Sequence, residues 1–306
     1  MQELGVFFET VLPLSLCQWS LHRRILGARL KPLARLARAL RGKLGMAEPL
    51  HGDLDPLDFP VVARRAFGFS AVEYTGFFYA PHLRDSAYLR ELKRRCAGEG
   101  VESLLVACAP EGEIGIGHPK AAQRRQIVER HQRWMHMAAY LGCHAISVRL
   151  GSAGGAAQQA ALTADGLHNL AESAHAHGLD VLVENHDGYS ADGAWLADVL
   201  RRADHARVGA APDWGHLGGD TAGRARNLAH LMPFARAITA KSVTPEREVS
   251  EAARLLKVVR DAGYKGHIGV EYEGDRLSEG EGVQAAKALL ESLLYAKRPL
   301  HRATRR

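Results

Sequence analysis

The chain has 306 residues, 46% of them hydrophobic and 24% charged, with 40 Lys/Arg against 34 Asp/Glu for a net charge of +6. That composition is expected of a soluble globular protein with a sizeable core, and no stretch approaches the ~18 uncharged apolar residues of a membrane span. The charge is unevenly placed: residues 1–45 carry eight Lys/Arg against Glu3 and Glu9, and residues 297–306 carry five more with no acid, so the body between them is acidic and the basic total is no argument for nucleic-acid binding.

The first apolar run, Val11–Leu16, is short and lacks a charged n-region ahead of it, so a secretory leader is not expected and the cytoplasm is the expected compartment. The first strand is predicted over Leu12–Ser20. Residues 23–54 then break the rhythm of the rest of the chain. Leu26, Leu30, Leu33, Ala37, Leu40 and Leu44 form one stripe, with Arg29, Arg35, Arg38 and Arg41 elsewhere, which predicts a basic amphipathic helix starting near Pro32. A lid or docking helix packed on its own domain is the commoner use of such an element, with an anionic surface or partner as the alternative.

From residue 57 onward, short β-rich runs alternate with amphipathic segments. Further strands are predicted at Ala71–Phe77, Ser103–Cys108, Ala145–Leu150, Asp180–Asn185, Val208–Asp213, Ala237–Val243 and Ile268–Tyr272. Between them, Gln123–Leu141 repeats Ile127, Trp134, Met135, Ala138 and Leu141 at helical spacing. Gly178 and Gly263 mark helix ends ahead of the fifth and eighth strands. Eight strands with helical crossovers predict an α/β fold, a (β/α)₈ TIM barrel, as a single domain over residues 1–306 with a basic insertion at 23–54 and a basic tail at 297–306. Cys17, Cys96, Cys108 and Cys143 contain no C-x-x-C pair, so reduced buried thiols are expected rather than disulfides or a zinc site.

In such barrels the C-terminal ends of the strands carry the chemistry. The fifth strand closes on Val183-Glu184-Asn185-His186, and an ionisable Glu in an apolar strand needs a partner or a ligand. The sixth ends Pro212-Asp213-Trp214-Gly215-His216, a carboxylate and an imidazole spaced to hold a metal or a substrate hydroxyl, or else an Asp that caps the next helix. The seventh carries Thr239 and Lys241 on one face. Lys241 can neutralise carboxylates, hold an anion or form a Schiff base, and electrostatic support is the expectation. The eighth reads Val270-Glu271-Tyr272-Glu273, of which Glu271 is expected to be the functional acid and Glu273 to lie nearer the loop. Arg149 ends the fourth strand ahead of a glycine-rich stretch, 151–155, able to cradle an anion.

Leu-Cys-Gln-Trp-Ser-Leu-His (16–22), Ala-Val-Glu-Tyr (71–74), Val-Glu-Asn-His (183–186), Pro-Asp-Trp-Gly-His (212–216), Ala-Lys-Ser (240–242), Gly-Tyr-Lys-Gly (263–266) and Val-Glu-Tyr-Glu-Gly (270–274) stand in an order and spacing that resembles the sugar phosphate isomerase/epimerase superfamily, the xylose isomerase-like and AP endonuclease family 2-like barrels. The resemblance runs from about Leu12 to Leu294. It implies a divalent metal such as Mn2+ or Mg2+ on Glu, Asp, His and Glu of the last four strands, matched here by Glu184, Asp213, Thr239 and Glu271. Thr239 departs from that pattern, so His216 or His186 completes the set or metal binding is weakened.

The resulting expectation is a sugar or sugar-derivative isomerase/epimerase of carbohydrate metabolism, with Glu184, Glu271 and Lys241 catalytic, His186, His216, Arg149 and Glu73 binding substrate, and Glu184, Asp213, Glu271 and His216 holding the metal. A lyase on the same barrel, cleaving a keto-glycoside by β-elimination, is the alternative. DNA phosphodiester cleavage needs many His ligands that the second, third and seventh strands do not supply, and the retained carboxylates argue against a purely binding barrel. A small-molecule sugar and a second copy in a homo-oligomer are the partners considered, with no nucleic acid.

Overall fold

The computed structural model describes residues 12–27, 52–109, 115–151 and 154–295. The basic amphipathic helix expected within 26–44 and the tail at 297–306 fall mostly or wholly outside these residues. Eight parallel strands form one sheet: β1 (Leu14–Cys17), β2 (Ala71–Thr75), β3 (Glu102–Ala107), β4 (Ala145–Arg149), β5 (Asp180–Glu184), β6 (Val208–Ala210), β7 (Ile238–Ser242) and β8 (Ile268–Tyr272). Each is followed by a helix: α1 (Phe59–Arg65), α2 (Ser86–Glu99), α3 (Ala121–Leu141), α4 (Ala156–His175), α5 (Gly193–Ala203), α6 (Thr221–Leu231), α7 (Val249–Asp261) and α8 (Glu279–Leu294).

The sheet order runs β6-β5-β4-β3-β2-β1-β8-β7, so the sheet curls until its two edge strands face each other. There the ring is joined by two isolated parallel bridges, Ala210 to Ala235 and Asp213 to Thr239. The backbone N–H of Arg236 donates to Ala210 at 3.0 Å and that of Thr239 to Pro212 at 2.8 Å. The sixth strand is shorter than the predicted Val208–Asp213. Pro212 has no N–H and cannot donate to a ladder, and the chain resumes pairing only at Asp213. The first and second strands also end early, because residues 18–21 and 76–82 wind into 3₁₀ turns that carry the chain over the barrel mouth. The predicted ends of α4 and α7 hold, with Gly178 and Gly263 at positive φ just beyond them.

Strand alternation sorts side chains into two layers. Outward residues such as Val72, Ile146, Val181, Ile238 and Val270 join the helices in the large core. Inward residues Leu105, Ala145, Leu182, Ala211 and Ala237, with Ala107, make a second, small cluster inside the ring. Four of those six are alanine, so the interior is filled low and leaves open space above it at the C-terminal ends of the strands. Among the described residues no helix is long and apolar enough to cross a membrane.

Candidate active site

The space inside the ring is a cavity of about 250 Å³ walled by Cys17, Glu73, Arg149, Glu184, Thr239 and Glu271, with Trp19 and Phe77 among the aromatic side chains at its rim. Two of its three acidic residues, Glu184 and Glu271, stand in pairs with bases on neighbouring strands. In register, Arg149 of β4 faces Glu184 of β5, and Lys241 of β7 faces Glu271 of β8. Arg149 Nη2 lies 2.6 Å from Glu184 Oε1, with Nε donating to the same oxygen at 2.9 Å. Lys241 Nζ lies 2.8 Å from Glu271 Oε1. Each of these two carboxylates is thus held by a cation on the preceding strand, a cross-strand arrangement that fixes both.

A second group stands beside this wall. Asp213 is buried, and Lys241 Nζ approaches its Oδ2 to 3.4 Å. Asn185 clamps the Asp213 backbone by accepting from its N–H at 2.9 Å and donating to its carbonyl at 2.8 Å, while Asp213 Oδ1 accepts from the Gly215 N–H at 2.9 Å. The Asp213 side chain therefore does cap the following turn, and its other oxygen stays directed at the site. His216 Nε2 is 3.2 Å from Lys241 Nζ, and the imidazole of His186 packs edge-on against that of His216 with centroids 4.0 Å apart. Glu184, Asp213 and His216 each place a ligand atom within 4.8 Å of the others.

Electrostatics follow from burial and from Lys241. Burial pushes the Glu271 and Asp213 carboxyls up, against the pull of Lys241. Burial disfavours the Lys241 ammonium, but Glu271, Asp213 and Glu273 outweigh it and hold it above the usual lysine range. It remains charged, without the lone pair that a Schiff base requires. His216 is brought down to about 4 by burial and by the charge of Lys241, so its imidazole is neutral at neutral pH. Glu273 is drawn down to about 2, where Lys241 and the Trp19 indole N–H overcome the effect of burial.

Glu273 lies just past the end of β8, nearer the loop as the sequence implies, and still reaches the site. Its Oε2 accepts from Lys241 Nζ at 2.8 Å, so it belongs to the same ion-pair network as Glu271. Its period-two spacing from Glu271 was the signal. Glu73, Arg149, Glu184 and Glu271 line the cavity, whereas His186, His216, Asp213 and Lys241 form the adjoining group. Thr239 is buried beneath them and faces the cavity two residues ahead of Lys241. The glycine-rich stretch 151–155 is described only in part.

Two carboxylates and an imidazole at this spacing are a donor set that suits a divalent ion with hard or borderline preferences. Two buried atoms here, Glu271 Oε1 and His216 Nδ1, have no hydrogen-bond partner, and His216 Nδ1 lies 3.9 Å from Asp213 Oδ2.

Residues 61–295 match the model of the xylose isomerase-like TIM barrel family, and the chain belongs to that family. Solved structures share the fold at low identity. An L-ribulose 3-epimerase aligns with a TM-score of 0.66 at 13% identity, covering 93% of this chain and 95% of its own. A 3-keto-D-glucoside 4-epimerase from E. coli gives 0.62 at 15%, covering 78% and 94%. A probable 3-DHS dehydratase from Bacillus anthracis gives 0.63 at 14%, covering 94% and 100%. No curated protein sequence matches the chain significantly.

Proposed function

We propose that the protein is an isomerase or epimerase of a sugar or sugar derivative, moving a proton on and off a carbon next to a carbonyl. The observation that carries this reading is the pair Glu184 and Glu271, which line one cavity from β5 and β8, each steadied by a cation on the strand before it. Two carboxylates reaching a substrate from different strands can remove a proton on one side and return it on another. The raised Glu271 carboxyl suits that exchange, because a group nearer neutrality gives up and takes back a proton more readily. Arg149 and Lys241 hold the carboxylates in place and offset charge that develops on the substrate oxygen.

A divalent ion fits Glu184, Asp213 and His216 and would polarise the substrate carbonyl as a Lewis acid. The aromatic rim of Trp19 and Phe77 faces the same cavity and excludes water from the reacting carbon. The epimerases among the similar structures support the assignment.

The test is hydrogen exchange in D2O, followed by NMR, over a panel of ketopentoses, ketohexoses and 3-keto-glycosides. A substrate should take up deuterium beside its carbonyl, with Glu184→Gln and Glu271→Gln each slowing exchange by ~10²–10⁴-fold. Exchange unchanged in both variants, or absent across the whole panel, would sink the assignment. A lyase reading draws on the dehydratase among the similar structures. It is distinguished by a conjugated enone absorbing in the ultraviolet in place of a returned proton.

A further inference from the structure

Lys241 is built into the site with unusual care. Its stem runs through a gap that exists because residue 215 is glycine: a Cβ there would lie 2.8 Å from Lys241 Cβ, 3.0 Å from Cγ and 2.9 Å from Cδ. The Trp214 indole N–H donates to the Lys241 carbonyl at 2.9 Å and fixes the backbone at the same point. Thr239 is too short to reach the acidic cluster from β7, and Lys241, two residues later on the same face, delivers its Nζ there instead. The side chain is only 6% exposed, and Nζ has four partners: Glu271 at 2.8 Å, Glu273 at 2.8 Å, Asp213 at 3.4 Å and His216 Nε2 at 3.2 Å.

Two of those four partners, Asp213 and His216, belong to the trio that a divalent ion would use, and a third, Glu271, stands beside it. The contact with His216 matters most. An ammonium can only donate, so His216 Nε2 must accept, which places the ring hydrogen on Nδ1. Nδ1 is the buried nitrogen directed at Asp213, and while it carries a hydrogen it cannot ligate an ion. For Nδ1 to bind a metal the hydrogen must move to Nε2, where it would meet the ammonium head-on. Glu271 is likewise engaged by the ammonium and falls outside the compact trio of Glu184, Asp213 and His216.

We propose that Lys241 is a resident cation that competes with a divalent ion for this cluster, withdrawing Glu271 from the ligand set and occupying the one available lone pair of the His216 imidazole. The site then takes its ion at reduced affinity, through Glu184, Asp213 and a His216 that must first release Lys241, and residue 241 sets that affinity. This rests on the proposed function for its relevance, but its test needs no substrate.

The experiment is calorimetric titration of Mn2+ into chelator-treated full-length protein. Lys241→Met keeps the length of the stem and removes the charge; it should tighten Mn2+ binding by at least about tenfold. Adding Glu271→Gln to that variant should reverse the gain, whereas Glu271→Gln alone should leave the affinity within about twofold and Asp213→Asn should weaken it by at least about tenfold. The single Glu271 and Asp213 variants keep the question open to refutation if Lys241→Met proves unfolded by circular dichroism. Equal or weaker binding by Lys241→Met, loss of binding in Glu271→Gln alone, or no binding by any form would each overturn the proposal. Proton exchange that fails while these metal arms behave as expected would count against the assigned reaction and not against Lys241.

Discussion

Glu73 lies inside the ring on β2, where water cannot reach it freely and two short donors stand in: Ser15 Oγ donates to Oε1 at 2.6 Å and Cys17 Sγ to Oε2 at 3.3 Å. Burial nonetheless outweighs these donors, and Glu271 and Glu184 add their repulsion, so the group is pushed up to about 7. A carboxyl raised in the folded state binds a proton that the unfolded chain has already released. Its contribution to stability is therefore fully present below the ordinary value of 4.5 and is lost as pH rises from there through 7. The loss across that window is on the order of 3 kcal/mol. Glu73→Gln, with no proton to lose, should match the wild type near pH 4 and exceed its melting temperature at pH 8. A wild-type minus variant difference that stays flat between those two pH values would refute the argument. Residues of this kind are hard to read from sequence. Glu184, Asp213 and Glu271 announce themselves as acids at the ends of apolar strands, but whether Glu73 is neutral, or Glu273 shares a lysine, depends on neighbours 58 or 32 positions away in the chain.

Strands and helices were more legible, because burial on both faces writes β-rich runs and one-sided packing writes a 3.6-residue period. The misreadings fall where local chemistry interrupts a run: Pro212 stops the sixth ladder, and the aromatic stretch after Thr75 winds into a 3₁₀ turn in place of more strand. The eighth strand illustrates how an element carries the site. Gly269 and Glu271 share its inward face, with Glu273 next in the same alternation just past its end, and the glycine is there to admit its neighbours. A Cβ at 269 would lie 2.6 Å from both Cys17 Sγ and Glu73 Oε1. Gly269→Ala should therefore cost about 1–3 kcal/mol by overpacking. Chemical denaturation would check this, and pairing it with Cys17→Ala should recover part of the loss. A Gly269→Ala variant as stable as wild type would mean that the interior yields more easily than its packing implies.

At the scale of the whole molecule, the (β/α)₈ plan followed from counting alternations, and the family match over residues 61–295 agrees with it. How the ring closes did not follow, since closure is a relation between the first and last edges to meet and leaves no periodic mark. Seven neighbouring strand pairs carry ladders, as in the five-residue register of β7 on β8, while β6 and β7 meet through two bridges. That junction behaves as a clasp on a hoop. Local opening should begin there, so the Arg236 and Thr239 amides should exchange with deuterium sooner than those of Leu182 or Val270, and similar rates at all four would contradict this. Asp213 and Lys241 sit on opposite halves of the clasp. Slipping it would part the acid from its ammonium while the rest of the hoop kept its shape, so gentle warming should silence the proposed proton exchange before the circular dichroism of the helices registers any change.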